Sequence, residues 1–409
     1  MNAGRYIFAQ ITDFIPRYEF DKMVAKYKGD FHAKDLTCYN QLLHLLFGQL
    51  TSCDSLRDIC LCLEAHKASL YHLGFRNTVT ISSLSRANEN RDYRIYEELG
   101  RYMIQAVRPL YAKTKIEDII EDNVIYALDS TTISTSIKLA SWALGKYSRG
   151  AVKMHTLLDL RGSIPVNIHI TDGKWHDDNM WQLIPIERGA VYTADKAYID
   201  FAQMWKMQLA GAFFVMRPKD NMRYEVVREL RDDAFKSDVR ADFIIRLTGV
   251  KSRKLYPDEL RLVKVLDPEG GELITFITNN LDFYPQEIAN IYRHRWDIEV
   301  FFKWIKQNIT IKSLWGYSEN AVKTHLWVAI TAYLLLAKIK ADTHSPYSIT
   351  EVATLIRVSA LEKTELRELL TRPIDSILSN QMSKSLRCLT IYKFLCEFIA
   401  TVLIINHKF

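Results

Sequence analysis

Within fifteen positions, the stretch PQEIANIYRHRWDIEVFFKWIKQN (residues 285–308) carries a phenol, two cations and a carboxylate: Tyr292, Arg295, Lys306 and Glu299. Taken as one helix at about 100° per residue, all four fall within roughly 60° of one face. The remainder is apolar: Ile291, Ile298 and Ile305 recur every seven residues, while Trp296, Val300, Phe301, Phe302 and Trp304 cover the other sides. A helix apolar all round belongs in an interior. There a carboxylate is costly unless it is paired or holds a metal. Two chemistries meet that condition. One is an internal ion-pair network of Arg295, Glu299 and Lys306; the other is a metal–carboxylate site whose neighbouring cations meet phosphate oxygens.

Two aspartates favour the second. Asp129 and Asp195 each follow an apolar, strand-like run and precede small or polar residues, LDSTTI and ADKAY. Asp also ends strands for turn reasons, so neither is informative alone. With Glu299 they make three carboxylates with no matching His or Cys, a donor set suited to hard ions such as Mg²⁺ or Mn²⁺. Two such ions roughly 3.5–4 Å apart can activate an attacking oxygen and stabilise the leaving one in an in-line phosphoryl displacement. His155, His169 and His176 lie nearby in sequence; that chemistry does not require them, and they are read as structural or positioning residues.

The elements that must position these groups can be sketched from periodicity. Residues 1 to about 115 read as helical, with LTCYNQLLHLLFGQL and SLRDICLCLEAH at helical spacing and Ser55 or Asp54 as a cap. After a turn at Gly74, Ser82 is the expected cap of a short polar helix bearing Arg86, Asn88, Asn90, Arg91 and Arg94. Such a helix suits DNA reading or a solvated face equally. From residue 122 strands take over: DNVIYALDSTTI, then two strands around an RGS turn, a helix at 177–185, a strand at 189–195, a helix at 197–210 and a strand at 212–218. That order predicts a mixed α/β sheet covered by helices. DFIIRLTG, LRLVKVLD and ELITFITNN then predict a β-rich insertion, and KSRKLYPDELRLVK an exposed basic hairpin.

Composition narrows the class. The 409 residues, 48% hydrophobic and 25% charged, suit a globular protein of two or three domains. A net charge of +6 permits a nucleic-acid partner without requiring one. The six cysteines follow no disulfide spacing, and Cys53, Cys60, Cys62 and His66 lack a zinc-site pattern, so core thiols in a reducing cytoplasm are expected. The opening MNAGRYIFAQITDF has no signal-peptide run, and the apolar stretches 326–337 and 394–405 are too short to span a bilayer.

At these residues the sequence resembles the DDE transposases of bacterial insertion sequences, in particular the insertion-sequence-4 family. That family's third-acid signature, Tyr-x2-Arg-x3-Glu-x6-Lys, is filled by Tyr292, Arg295, Glu299 and Lys306. LDSTTI, ADKAY, the TNN at 278–280 and GYSENAVKTH at 316–325 add to the likeness, which runs over roughly 120–340. Many relatives have Arg-Gly after the second Asp, where this chain has Lys196 and Ala197.

The resemblance implies an α/β, RNase H-like (retroviral-integrase-like) catalytic core with an inserted β subdomain, flanked by helical regions. The expected division is 1–115, helical and binding DNA ends; 116–218, first part of the core; 219–281, β insertion; 282–345, second part with the Glu helix; and 346–409, helical and a candidate for dimerisation. It implies that Asp129, Asp195 and Glu299 are catalytic and hold two Mg²⁺ ions, for which Mn²⁺ can substitute, while Tyr292, Arg295, Trp296 and Lys306 hold DNA. Trp296 is also read as a core residue. The implied reaction is cut-and-paste transposition by a cytoplasmic, DNA-associated homodimer acting on terminal inverted repeats and target DNA, with no membrane partner. A nuclease without strand transfer and a catalytically idle DNA-binding derivative are the alternatives.

Overall fold

The computed structural model describes residues 4–120, 123–134, 142–143, 150–175, 177–230, 238–267, 270–311 and 313–373. Its centre is a sheet of nine strands: β1 Ile125–Ser134, β2 Ala151–Asp159, β3 Ile164–Asp172, β4 Val191–Ala194, β5 Phe213–Met216, β6 Tyr224–Glu229, β7 Val239–Leu247, β8 Glu259–Leu266 and β9 Leu273–Thr278. The order is β3-β2-β1-β4-β5-β9-β8-β7-β6. In the first five strands β2 runs antiparallel to β1 and β3, while β1, β4 and β5 are mutually parallel, the arrangement expected of an RNase H-like core. Alternation sends Ile125 and Ala127 to one buried face and Tyr126 and Leu128 to the other. Both faces are therefore covered, as a parallel sheet requires.

The β-rich insertion is present, but it does not close on itself. β9 returns to pair with β5, and β8, β7 and β6 continue the same sheet outward. β6 was not expected from the sequence. All six of its residues are exposed at the sheet edge, so it has no apolar face for an alternating pattern to display. The basic segment expected as a hairpin instead begins with a short helix, Val250–Leu255, between β7 and β8.

On the face of Ile125 and Ala127 lies the helix Glu319–Thr343, N-capped by Ser318. Its apolar run was expected to be too short to cross a bilayer. The helix is in fact long and apolar enough to do so by composition, with 89% of that window buried inside the fold. It is a core axis. The N-terminal helices Cys38–Leu50, Ile81–Asn90 and Arg94–Val107 pack on it, so one buried cluster runs from Ile7 through the sheet to Leu370.

Ile81–Asn90 is capped by Thr80, whose hydroxyl accepts the Ser83 N–H at 3.1 Å, rather than by Ser82. Asn88 is buried and accepts from Gln41 at 2.7 Å, while Arg91 donates to Gln41 and to the Leu36 carbonyl. Asn320, from the GYSENAVKTH motif, donates to the Asn88 and Arg91 carbonyls and accepts the Tyr93 N–H. These polar residues are internal ties. Beyond Pro346 the helices Ile349–Ser359 and Leu366–Thr371 follow, the first closed by a Ser348/Glu351 capping box. The expected apolar end at 394–405, with Cys388 and Cys396, lies outside the described residues.

One buried pair ties the insertion to the stretch that enters the Pro285 helix. Arg261 on β8 grips Asp242 on β7 at 2.7 and 2.9 Å, and also donates to the carbonyls of Leu281 and Phe283. Both side chains are almost fully buried. Removing one partner strands a buried charge, so Asp242→Ala is expected to cost roughly 3–5 kcal/mol. Chemical denaturation of the variant measures this; a loss under about 1 kcal/mol would mean that water reaches the Arg261 guanidinium.

Candidate active site

Parallel pairing of β1 with β4 puts Leu128 level with Ala194, and the next residues are Asp129 and Asp195. The same register on β4 and β5 sets Ala194 beside Met216, followed by Arg217. Neighbouring strands lie about 4.8 Å apart. By alternation, all three side chains belong to the Ile125 and Ala127 face. Asp129 is not at the end of its strand, as expected, but where β4 stops pairing; Thr131, Ile133 and their neighbours carry β1 on against β2 as far as Ser134. Asp129 accepts the Ser130 N–H at 2.7 Å. Asp195 is exposed at the sheet edge and accepts the Lys196 N–H at 2.6 Å.

The Glu299 stretch is two helices, Pro285–Arg293 and Trp296–Asn308, rather than one. At the junction Arg295 N–H bonds Tyr292 and Asp297 N–H bonds His294, both one residue closer than an α-helix places them. The His294 ring holds the break open, with one nitrogen on Asp297 at 3.0 Å and the other on the Glu117 carbonyl at 2.8 Å. Nor is the second helix apolar all round. Trp296 is 59% and Val300 52% exposed, so the core-Trp reading does not hold. Ile298, Phe301, Phe302 and Ile305 supply the buried side.

Glu299 sits on the flank of that helix, which packs over β1. With Asp129, Ser130, Thr131, Phe302, Lys303, Lys306 and Gln307 it lines an open cavity of about 400 Å³. Arg295 bonds Glu299 at 2.9 Å and stands over the Tyr292 ring, which itself packs on Phe276. Tyr292, Arg295 and Glu299 are thus contiguous, Lys306 is on the cavity wall, and Trp296 is on the neighbouring exposed face.

Burial pushes the Asp129 carboxyl up to about 6. The Ser130 N–H and Arg295 oppose this, while Glu299 and Asp195 add to it. Arg295 is only 14% exposed, and its Nε is buried without a partner among the described residues. Burial disfavours its charge, yet Tyr292, Glu299 and Asp129 hold it above its ordinary value. The site therefore combines a desolvated carboxyl at Asp129 with a donor beside it that is unsatisfied among the described residues.

That combination fits a hard cation between the carboxylates, and the oxygen-only donors suit one. Among the described residues no three acidic, His or Cys side chains are close enough to form a finished metal shell. Glu299 is turned to Arg295, so the ion pair weighed from the sequence is present. Asp129 and Asp195 are the donors already aligned.

Sequence reading overlooked Thr131, Lys303 and Gln307 on the cavity wall, and Arg217 beside Asp195. It also overlooked a group on the other face of the sheet: Ser130, Lys153 and His155 gathered around Asp177. The only signal was the polar HDDN after β3. His155 is fully buried, and burial lowers it to about 4, so it is neutral at pH 7 and faces away from Asp129. His169 lies directly across from it on β3, and His176 is outside the described residues.

The folded Asp129 value of about 6 exceeds the ordinary 3.8. The neutral acid is thus favoured by folding; that contribution is complete below the ordinary value and lost as pH rises through about 6. At about pH 7.5 the ionised group costs stability on the order of 1–3 kcal/mol. Metal-free Asp129→Asn is therefore expected to melt above wild type at that pH, with the gap closing toward about pH 4. Mn²⁺ should raise the melting temperature of wild type and not of the variant. An equal Mn²⁺ response in both proteins would remove Asp129 from the ion's coordination.

Residues 121–335 match the Transposase DDE domain family, and residues 3–76 match a family described only as a domain of unknown function. A Sinorhizobium fredii protein named as a transposase, y4zB, is 38% identical over 212 residues, 51% of this chain and 59% of its own length. A Synechocystis protein named as a transposase for insertion sequence element IS4SA is 28% identical over 308 residues, 72% of this chain and 83% of its own. The piggyBac transposase in a synaptic complex with hairpin DNA superposes with a TM-score of 0.47 at 11% identity, over 91% of this chain and 84% of that one. The first relative is thus matched over about three-fifths of its length. With more than half of its residues in that domain, the chain belongs to the DDE transposase family of insertion sequences.

Proposed function

We propose that this protein is a DNA transposase that cuts and rejoins phosphodiesters by metal-dependent phosphoryl transfer, with Asp129, Asp195 and Glu299 as its three acids. The observation that carries the reading is the alignment of Asp129 with Asp195 on adjacent parallel strands under the Glu299 helix. Family membership supports the reaction class.

Asp129 and Asp195 would hold Mg²⁺, or Mn²⁺ in its place, and Glu299 would join them on leaving Arg295. Two divalent ions there supply activation of the attacking oxygen and charge stabilisation of the leaving one. Arg295, released from Glu299 and with Nε already unpartnered, donates to a phosphate oxygen beside the cut. Lys306, with Lys303, brings positive charge to the cavity wall along the same backbone. Tyr292 keeps the guanidinium in place from below. Trp296, exposed on the next turn, stacks on a base at the distorted end.

The reaction sequence is hydrolysis at the boundary of the mobile element, which frees a 3′-OH, followed by attack of that hydroxyl on target DNA. The partners are the element's terminal inverted repeats and target duplex, handled by two copies of the chain. The N-terminal helices before residue 115 are the proposed end-binding region.

Glu299→Gln should bind labelled element ends with wild-type affinity while cleaving them slowly. Losing several kcal/mol of charge stabilisation corresponds to roughly a 10³-fold slower step. Cleavage equal to wild type would sink the assignment of Glu299. Pre-cut ends incubated with plasmid separate this reading from a nuclease, because only a transposase joins them. Trp296→Ala should change the melting temperature little, since the side chain is mostly exposed, and weaken the cleavage-competent end complex by about 1–3 kcal/mol; an unaltered complex would exclude stacking.

A further inference from the structure

The group around Asp177 lies behind the carboxylates, and the mechanism above makes no use of it. On β1, Asp129, Ser130 and Thr131 all border the cavity, but alternation turns the Ser130 side chain away from those of Asp129 and Thr131, toward the opposite face. There the Ser130 hydroxyl donates to Asp177 Oδ1 at 2.8 Å. Lys153 Nζ, from β2, donates to both Asp177 oxygens at 3.0 and 2.9 Å. His155, also on β2, has Nδ1 3.4 Å from the same carboxylate, Nε2 on the Thr171 hydroxyl at 3.0 Å, and the Trp175 ring packed edge-on against it.

Asp177 opens the short turn Asp177–Gln182 that follows β3. The chain leaves the sheet edge there and folds back across β2 to reach β1. Burial works against the Asp177 charge, but the Lys153 and Ser130 bonds more than offset it and hold the carboxyl below its ordinary range. With His155 neutral, the group carries one anion and one cation, and Ser130 is its link to β1.

Ser130 is also the residue whose N–H bonds Asp129, at 2.7 Å. We infer that Asp177 is a positioning residue for Asp129: it holds Ser130 from behind the sheet, and the Ser130 peptide in turn fixes one oxygen of the Asp129 carboxylate. The inference rests on the metal–carboxylate reading of the site and adds to it a brace built from three strands. Partners one step removed from a metal ligand typically carry 10–100-fold of the affinity, because they fix the ligand's orientation.

The test uses the full chain and Mn²⁺ alone as probe. Ser130→Ala removes the link and leaves the Lys153–Asp177 pair intact, so folding is retained; Asp177→Asn weakens the link from the other side; Ser130→Thr keeps the hydroxyl. The Mn²⁺ concentration at half of the melting-temperature rise should increase about 10-fold in Ser130→Ala and Asp177→Asn, and stay within about twofold in Ser130→Thr. End cleavage should show the same shift in its Mg²⁺ dependence and recover most of its rate at saturating metal. Variants that lose metal-free stability or rate while keeping the wild-type Mn²⁺ midpoint would show Asp177 to be packing only and overturn the inference. A wild type without any Mn²⁺ response would overturn the metal site itself, and this inference with it.

Discussion

Two carboxylates level with each other on neighbouring strands, about 4.8 Å apart at the backbone, repel, and a third on the helix above adds to the repulsion. That conflict adds to the burial that is the main cause of the up-shifted Asp129 carboxyl. It persists because the register of β1 and β4 is held elsewhere. Ile125, Ala127, Val191 and Val215 are buried on one face, and Tyr126, Leu128, Tyr192 and Phe214 on the other. A slip of one residue would exchange the two sets and bury Asp129 in the opposite core. Apolar packing thus fixes the carboxylates where their own electrostatics would separate them. Arg295 is the counter-charge that makes the metal-free arrangement tolerable.

Arg295 reaches that position because the helix is broken in front of it. In a continuous helix Tyr292 and Arg295 would be successive members of one stripe. The tight turn at His294 instead separates a first segment that packs on β8, β5, β4 and β7 from a second that lies on β1. Beyond the break, Trp296, Val300, Lys303 and Gln307 follow one another at intervals of four, three and four residues, and all are exposed. That spacing is a single helical face. It adjoins the face of Glu299 and Lys306, so the cavity opens onto a strip that is apolar at one end and basic further along.

The same strip shows where sequence reading reaches its limit. A tryptophan and a valine on a helix rich in isoleucine and phenylalanine pass for core, and only their exposure in the fold separates a contact surface from an interior. The two aspartates stood out because each follows an apolar run whose alternation sets its face, and Glu299 because it shares a helical face with Tyr292, Arg295 and Lys306. The Asp177 group was not: Ser130, Lys153 and Asp177 are brought together by strand register across 24 to 47 positions of sequence, and no local pattern records it. The β insertion was legible as strands, yet its merging with the core sheet depends on the pairing of Val215 with Thr278, which neither segment's composition specifies. Asn88 and Arg91 are polar in the way a DNA-reading helix is polar. Their ties to Gln41 and Asn320 are what assign them to the interior.

Those ties bear on how DNA grip and chemistry are coupled under the proposed function. Asn320 begins the long helix Glu319–Thr343, which packs along the Arg94–Val107 helix; further along it Tyr333 meets both Phe301 and Trp304 of the Glu299 helix. The N-terminal helices and the Glu299 helix therefore share one buried axis rather than a linker. Moving one against the other would expose part of a continuous apolar core, at about 25 cal/mol for each Å² uncovered. On that proposal, a DNA end gripped by the N-terminal helices would be held by the same packed core that carries the three carboxylates. Positioning of the scissile phosphate would then be built in before the DNA arrives, and the adjustment left for catalysis would be local: Glu299 would turn from Arg295 toward the other two carboxylates.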